Sequence, residues 1–143
     1  MCVSNCTLNM ISPAMYRRML LPLDARIARS FGRFGVHTCN WNATPYLSAL
    51  TDLPAMGYID MGEETGLVQA KSSFPEARRA ILFSVAKLAD LRASLSFLQR
   101  VWRELSPCDV VVADIPWDMP DENVAGFVEL ARHVQEQDCN PPA

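Results

Sequence analysis

The chain has 143 residues, which is enough for one domain with a modest hydrophobic core. Half of its residues are hydrophobic and the formal net charge is -3, so the composition gives no support for binding to nucleic acid or to an anionic membrane. The longest apolar runs are too short to span a bilayer, and the N-terminus lacks the basic-then-apolar order of a signal peptide. We therefore expect a cytoplasmic protein without a membrane partner.

Short apolar runs bounded by turn residues indicate a series of buried strands. These runs lie at 34–39, 57–61, 80–84 and 109–113, and the first eight residues have the character of the end of a further strand. Helical patterns lie between the runs.

The helical patterns have recognisable starts and faces. Ser12 precedes Pro13 at the start of a pattern that runs to residue 31, and Pro22 in its middle predicts a break. Two amphipathic patterns, at 91–105 and 121–136, predict surface helices that pack one face on a sheet.

The alternation of strands and helices predicts an α/β fold of right-handed parallel βα units. Two architectures fit this pattern, namely a small doubly wound sheet and part of a TIM (β/α)8 barrel. None of the six glycines forms a phosphate-binding loop after an early strand, which favours the barrel. Because a whole barrel needs about 250 residues, we expect residues 1–137 to form half of one, followed by a disordered tail at 138–143.

The carboxyl ends of the strands carry the candidate functional residues, since active sites collect there in both architectures. His37 and Cys39 stand two residues apart on a predicted strand, so their side chains point to one face. An imidazole and a thiolate together suit zinc. The alternative is a hydrogen-bonded histidine beside a buried thiol. Asn40 follows at the same rim and is a candidate for binding a cofactor.

Three carboxylates near strand ends are candidate catalytic residues, namely Asp60, Glu63 and Asp114. Asp60 and Glu63 can serve as metal ligands, as a general base or as substrate contacts, although Glu63 can equally belong to a charge pair at a helix start. Asp114 closes an apolar run, where a carboxylate is costly to bury without a partner, so we place it at the rim. No Gly-x-Ser-x-Gly elbow occurs, and we set a serine hydrolase aside.

The cysteines do not form a regular framework. There are five of them, Cys2, Cys6, Cys39, Cys108 and Cys139. An odd number without regular spacing fits a reducing compartment better than a set of disulfides. Cys2 and Cys6 have the spacing of a metal-binding or redox pair. Because the sequence contains no second pair of cysteines with such spacing, we do not assign them to the site.

Three segments resemble the uroporphyrinogen decarboxylase superfamily, in the order in which that family carries them. "LNMISPAMYRRMLLPLDARIARSFGRFGVHTCNWN" is similar to its Ser-Pro-x-x-Tyr/Phe helix and the following strand, which ends His-x-Cys-Gly-Asn. "YIDMGEETGLVQAK" resembles the next strand and loop. "VVVADIPWDMPDENVAGFVELARHV" resembles the closing segment, with its Thr-Pro-x-Glu-Asn helix start. The likeness extends over residues 8–134.

The resemblance implies the C-terminal half of a (β/α)8 barrel enzyme. The superfamily holds decarboxylases of porphyrin biosynthesis, which act on a tetrapyrrole without a cofactor, and zinc-dependent methyltransferases, which move methyl groups between corrinoid proteins and thiols. His-x-Cys belongs to the methyltransferase branch, where these two residues and a later cysteine hold a zinc ion that activates a substrate thiol. We therefore expect a methyltransferase-like fragment with a corrinoid protein as methyl donor or acceptor.

The chain departs from the family pattern at two positions. The family's later cysteine aligns with Ala113, and Cys108 precedes the strand, five residues from its far end, so Asp114 is the nearest candidate oxygen ligand. The glycine that follows Cys39 in the family is replaced by Asn40. Two alternatives therefore stay open, namely a decarboxylase proper that acts on an anionic tetrapyrrole, and a non-catalytic binding module that has lost its site.

A half-barrel has open sheet edges and an open core face, which favour association. We expect pairing with an N-terminal half-barrel or with a second copy, and no activity without that partner.

Overall fold

The computed structural model describes residues 1–139 and contains a five-stranded sheet in which all neighbouring strands are parallel. The strands are β1 (Cys2–Ser4), β2 (Phe34–His37), β3 (Met56–Gly62), β4 (Arg78–Phe83) and β5 (Asp109–Val112). Their order across the sheet is their order along the chain. The predicted α/β class with parallel βα units is therefore confirmed, and the first residues do form a strand. The order contains no reversal of the kind that defines a doubly wound sheet.

Six α-helices connect and follow the strands within residues 1–139. They are α1 (Pro13–Met19), α2 (Leu21–Ala28), α3 (Leu47–Leu50), α4 (Leu67–Ser73), α5 (Leu91–Leu105) and α6 (Asp121–Cys139). The predicted break occurs at Leu20, because Pro22 fits only in the first turn of a new helix. Helix α6 runs two residues into the predicted tail, and residues 140–143 of that tail lie outside the described part of the chain. None of the helices in residues 1–139 is both long and apolar enough to cross a bilayer.

The hydrophobic core lies between the helices and one face of the sheet. Val36 and Ile59 are register partners on β2 and β3, Ile81 of β4 pairs with Met61 on the same face, and all of these residues are fully buried. They share their core with helix residues such as Leu50 and Leu67. Alternation along each strand turns the next residues to the opposite face.

That opposite face carries polar side chains. The strand register aligns Ser4, His37 and Asp60 in one row across β1, β2 and β3. Nearer the amino ends of the strands, Arg78 pairs with Asp109 at 2.5 Å. The fold therefore places a polar row at the carboxyl ends of its first three strands.

Burial on α4 provides a matched test of this packing. Leu67 is 2% exposed, whereas its neighbour Val68 is 64% exposed. We expect Leu67→Ala to lower the free energy of unfolding by about 2–5 kcal/mol, because it leaves a cavity in the core. Val68→Ala should change it by less than about 0.5 kcal/mol. Urea denaturation measures both, and equal losses would contradict the orientation of α4.

Candidate metal centre

The last residue of β2 and the loops after β1 and β2 bring a histidine and two cysteines together. One potential ligand atom from each of Cys6, His37 and Cys39 lies within 4.8 Å of the other two. The Cys39 sulfur is 2.9 Å from His37 Nε2 and 2.6 Å from the Cys6 sulfur. No other such cluster of three His, Cys, Asp or Glu residues occurs in the part of the chain that the structure describes. Soft thiolates with an imidazole are a donor set that transition metals bind.

A turn, rather than the strand itself, aims Cys39 at His37. The strand that the sequence predicts at 34–39 ends at His37. Cys39 adopts a φ of 58°, in the left-handed region that residues other than glycine rarely occupy. Such backbone strain persists only where the surroundings enforce it, and it is concentrated at functional sites.

A buried carboxylate orients the imidazole. Asp60 Oδ2 lies 2.6 Å from His37 Nδ1, and the two side chains are 6% and 33% exposed. Because a carboxylate only accepts hydrogen bonds, the Nδ1 atom carries the proton of the ring. The lone pair of His37 then lies on Nε2, the atom that faces the two sulfurs. This carboxylate–histidine arrangement is the one that supports histidine ligands in metal sites.

Asp60 is itself held from several directions. The Thr38 backbone amide donates to Oδ1 at 2.9 Å, and the Tyr58 hydroxyl donates to Oδ2 at 3.1 Å. The fully buried Thr38 hydroxyl donates back to the Asp60 carbonyl at 2.8 Å. The orientation of the carboxylate is thus fixed before any ligand arrives.

The loop that carries Cys6 is also anchored. The Asn5 backbone amide donates to the His37 carbonyl at 2.8 Å, which continues the pairing of β1 and β2 beyond Ser4. The Asn5 side chain donates to the buried Asp24 carboxylate at 2.8 Å. From the other side, the Trp41 indole donates to the Cys6 carbonyl at 2.8 Å.

The two thiols differ in acidity. Hydrogen bonds from the Cys39 thiol and the Ser4 hydroxyl lower the pKa of Cys6. Burial, followed by the hydrogen bond to Cys6, raises the pKa of Cys39 to about 11. Cys39 is therefore the weaker acid of the two, and a metal ion that binds its sulfur has to displace its proton.

The other predicted site residues lie apart from this cluster. Glu63 forms an ion pair with Lys87 and lines a cavity of about 360 Å³ against α5. Asp114 is exposed after β5, three strand spacings from β2, or roughly 14 Å along the sheet. Asn40 has an exposed side chain, and its backbone carbonyl packs over Gly62. Of the predicted residues, the structure brings together His37, Cys39 and Asp60.

The third potential ligand, Cys6, is the residue that the sequence did not assign to the site. The register of β1 with β2 contains an indication that Cys6 belongs to the site. Cys6 and Cys39 each follow by two residues the register pair Ser4 and His37. That indication becomes visible only when the first strand is paired with β2.

Comparison with family models, with curated proteins and with solved structures finds no match to the chain. The inferences about function therefore rest on the fold and on the geometry of the cluster.

Gly62 allows the loop of Cys39 to pass over β3, and this generates a prediction. A Cβ there would overlap the Asn40 carbonyl, while the Gly62 amide donates to the Trp41 carbonyl at 2.9 Å. We expect Gly62→Ala to lower the free energy of unfolding by about 1–3 kcal/mol and to speed alkylation of Cys39, because the loop must move.

The matched control is Gly57→Ala on the same strand, where the added Cβ has no neighbour closer than 3.7 Å. It should leave the alkylation rate of Cys39 unchanged. Equal effects of the two substitutions would contradict the close approach at Gly62.

Proposed function

We propose that this chain is part of a metal-dependent enzyme, binds one zinc ion through Cys6, His37 and Cys39, and activates a substrate thiol at that ion. Two thiolates and an imidazole are typical zinc ligands. The buried partner of His37 leaves Nε2 as the free ligand atom. Zinc in such a site would lower the pKa of a bound thiol and present it as a thiolate.

The spacing of the ligand atoms fits a zinc ion after a small adjustment. Two sulfurs that are each about 2.3 Å from one tetrahedral zinc ion lie roughly 3.7 Å apart. The sulfurs of Cys6 and Cys39 are 2.6 Å apart, so they would have to separate by about 1 Å. Cys6 lies in a loop and is partly exposed, so its side chain has room for that movement.

The proposal that the zinc ion is catalytic rather than structural rests on the number of protein ligands. Structural zinc sites are closed by four protein ligands, whereas catalytic sites have three and leave one position open. The cluster supplies three, and the imidazole is 33% exposed, so the ion would be reachable from outside. A small thiol is one ligand that can occupy such an open position.

The sheet supports the proposal that the chain belongs to a (β/α)8 barrel, and the resemblance of three sequence segments supports the uroporphyrinogen decarboxylase superfamily. Strictly sequential parallel strands and a site at their carboxyl ends are features of that barrel. An eight-stranded barrel needs three strands besides the five of this sheet, whereas two copies of the chain would supply ten. A separate segment of three βα units therefore fits the missing part better than a second copy.

Within that superfamily, the thiol-activating methyltransferase branch fits the cluster best. The reaction would pass a methyl group between a corrinoid protein and the zinc-bound thiol. A decarboxylase acting on an anionic tetrapyrrole needs cationic side chains at the rim. Arg78 instead lies at the amino end of β4 and is paired with Asp109. Arg78 therefore gives that alternative no support.

Metal content tests the proposed ligand set. We expect one zinc ion per chain after dialysis against zinc, and a large loss of bound zinc in Cys6→Ser and in Cys39→Ser. Cys2→Ser and Cys108→Ser are matched controls, because these residues lie at the amino ends of β1 and β5. Elemental analysis of the folded proteins measures the ratio. Zinc binding that survives Cys39→Ser, or that Cys2→Ser removes equally, contradicts the assignment.

Asp60 should act on the ion through His37. Asp60→Asn keeps the size of the side chain but removes the charge that supports the imidazole. We expect the zinc affinity to fall about 10–100-fold, as measured by competition with a chromophoric chelator. Tyr58→Phe, which removes one hydrogen bond to the same carboxylate without touching His37, should have a smaller effect. Equal affinities in wild type and Asp60→Asn would contradict the orienting role.

A further inference from the structure

Cys6 and Cys39 are placed for a second reaction besides metal binding. We propose that they form a reversible disulfide by exchange with a small disulfide such as oxidised glutathione, and that the disulfide form releases the metal ion. The first half of this proposal concerns the two thiols alone, and the second half rests on the proposed zinc site.

The separation of the two sulfurs supports the bond. They lie 2.6 Å apart, about half an ångström longer than a disulfide. Cys6 and Cys39 each lie two residues beyond the register pair Ser4 and His37 of the adjacent parallel strands β1 and β2. The hydrogen bond from the Asn5 amide to the His37 carbonyl joins these two segments just beyond the strands. Neighbouring strands are about 4.8 Å apart, which lies within the Cα separation that disulfides span.

Position along the strands distinguishes this pair from Cys2 and Cys108. Cys6 and Cys39 are both partly exposed and lie beyond the carboxyl ends of their strands. Cys2 begins β1, and Cys108 immediately precedes β5, so both lie towards the opposite end of the sheet. Exchange should therefore join Cys6 to Cys39 in preference to either of these residues.

The exchange is balanced by the small disulfide. The thiolate of one cysteine attacks a sulfur of oxidised glutathione, breaks its S–S bond and expels one glutathione thiolate. The second cysteine loses its proton and attacks the mixed disulfide, which forms the Cys6–Cys39 bond and releases the second glutathione. The protein loses two protons and two electrons, and the oxidant takes them up and becomes two thiols.

The consequence for the metal follows from the ligand set. The disulfide occupies two of the three ligand atoms and leaves only His37 Nε2. A single imidazole does not hold zinc in competition with a chelator, so oxidation should release the ion. Reduction by a thiol restores both sulfurs.

The experiment uses a variant in which Cys2, Cys108 and Cys139 are replaced by serine, so that Cys6 and Cys39 are its only cysteines. The variant is incubated with oxidised glutathione, with and without prior loading with zinc. Free thiols are alkylated, and mass spectrometry identifies the products. A chromophoric chelator follows released zinc. Wild type under the same conditions shows whether the substitutions have altered the reaction.

We expect an intramolecular Cys6–Cys39 link, a mass lower by two hydrogens, and release of one zinc ion per disulfide that dithiothreitol reverses. Cys6→Ser and Cys39→Ser should stop at the mixed glutathione adduct. Mixed adducts alone in the parent variant would overturn the disulfide. Zinc that stays bound after complete oxidation would overturn the release.

The two proposals can fail separately. A disulfide in a protein that never binds zinc rejects the zinc site and supports the modification. If the protein binds zinc but its metal-free form makes no disulfide, the zinc site is supported and the modification is rejected.

Discussion

One buried carboxylate sets the geometry of the whole candidate site. Burying a charge is costly unless it is paired and hydrogen-bonded, and Asp60 meets that condition through the imidazole of His37, the amide of Thr38 and the hydroxyl of Tyr58. These contacts join β2 to β3 at their carboxyl ends. They also fix which nitrogen of His37 is free. The left-handed turn at Cys39 follows directly, so the position of its sulfur depends on the same carboxylate.

The fold could be predicted from the sequence as far as local patterns determine it. The apolar runs and the apolar stripe of α5 predicted the sheet and the longest helix between two of its strands, because burial on a strand or a helix face leaves a period in the chain. The short helices α3 and α4 carry too few turns to show such a period. Strand order is a property of long-range pairing. The pattern of strands and helices alone therefore did not separate a doubly wound sheet from a barrel, and only the observed sheet shows that the strands follow one another without a reversal of order.

Only part of the site could be predicted, because its residues come together through long-range pairing of strands. The rule that function collects at carboxyl ends of strands selects an edge of the sheet, and it found His37, Cys39 and Asp60. The rule does not give the distance between two strand ends, so it also selected Asp114, which lies three strands away from His37. It missed Cys6 because only the pairing of β1 with β2, which the sequence does not show, brings that thiol to the cluster.

X-ray absorption at the zinc edge, recorded before and after addition of a small thiol, tests the central claim most directly. Ligation by Cys6, His37 and Cys39 predicts two sulfur neighbours at about 2.3 Å and one imidazole nitrogen at about 2.0–2.1 Å. An open position predicts that the added thiol raises the sulfur count to three. A spectrum with only nitrogen and oxygen neighbours would contradict the ligand set. An unchanged spectrum after addition of the thiol would contradict thiol activation.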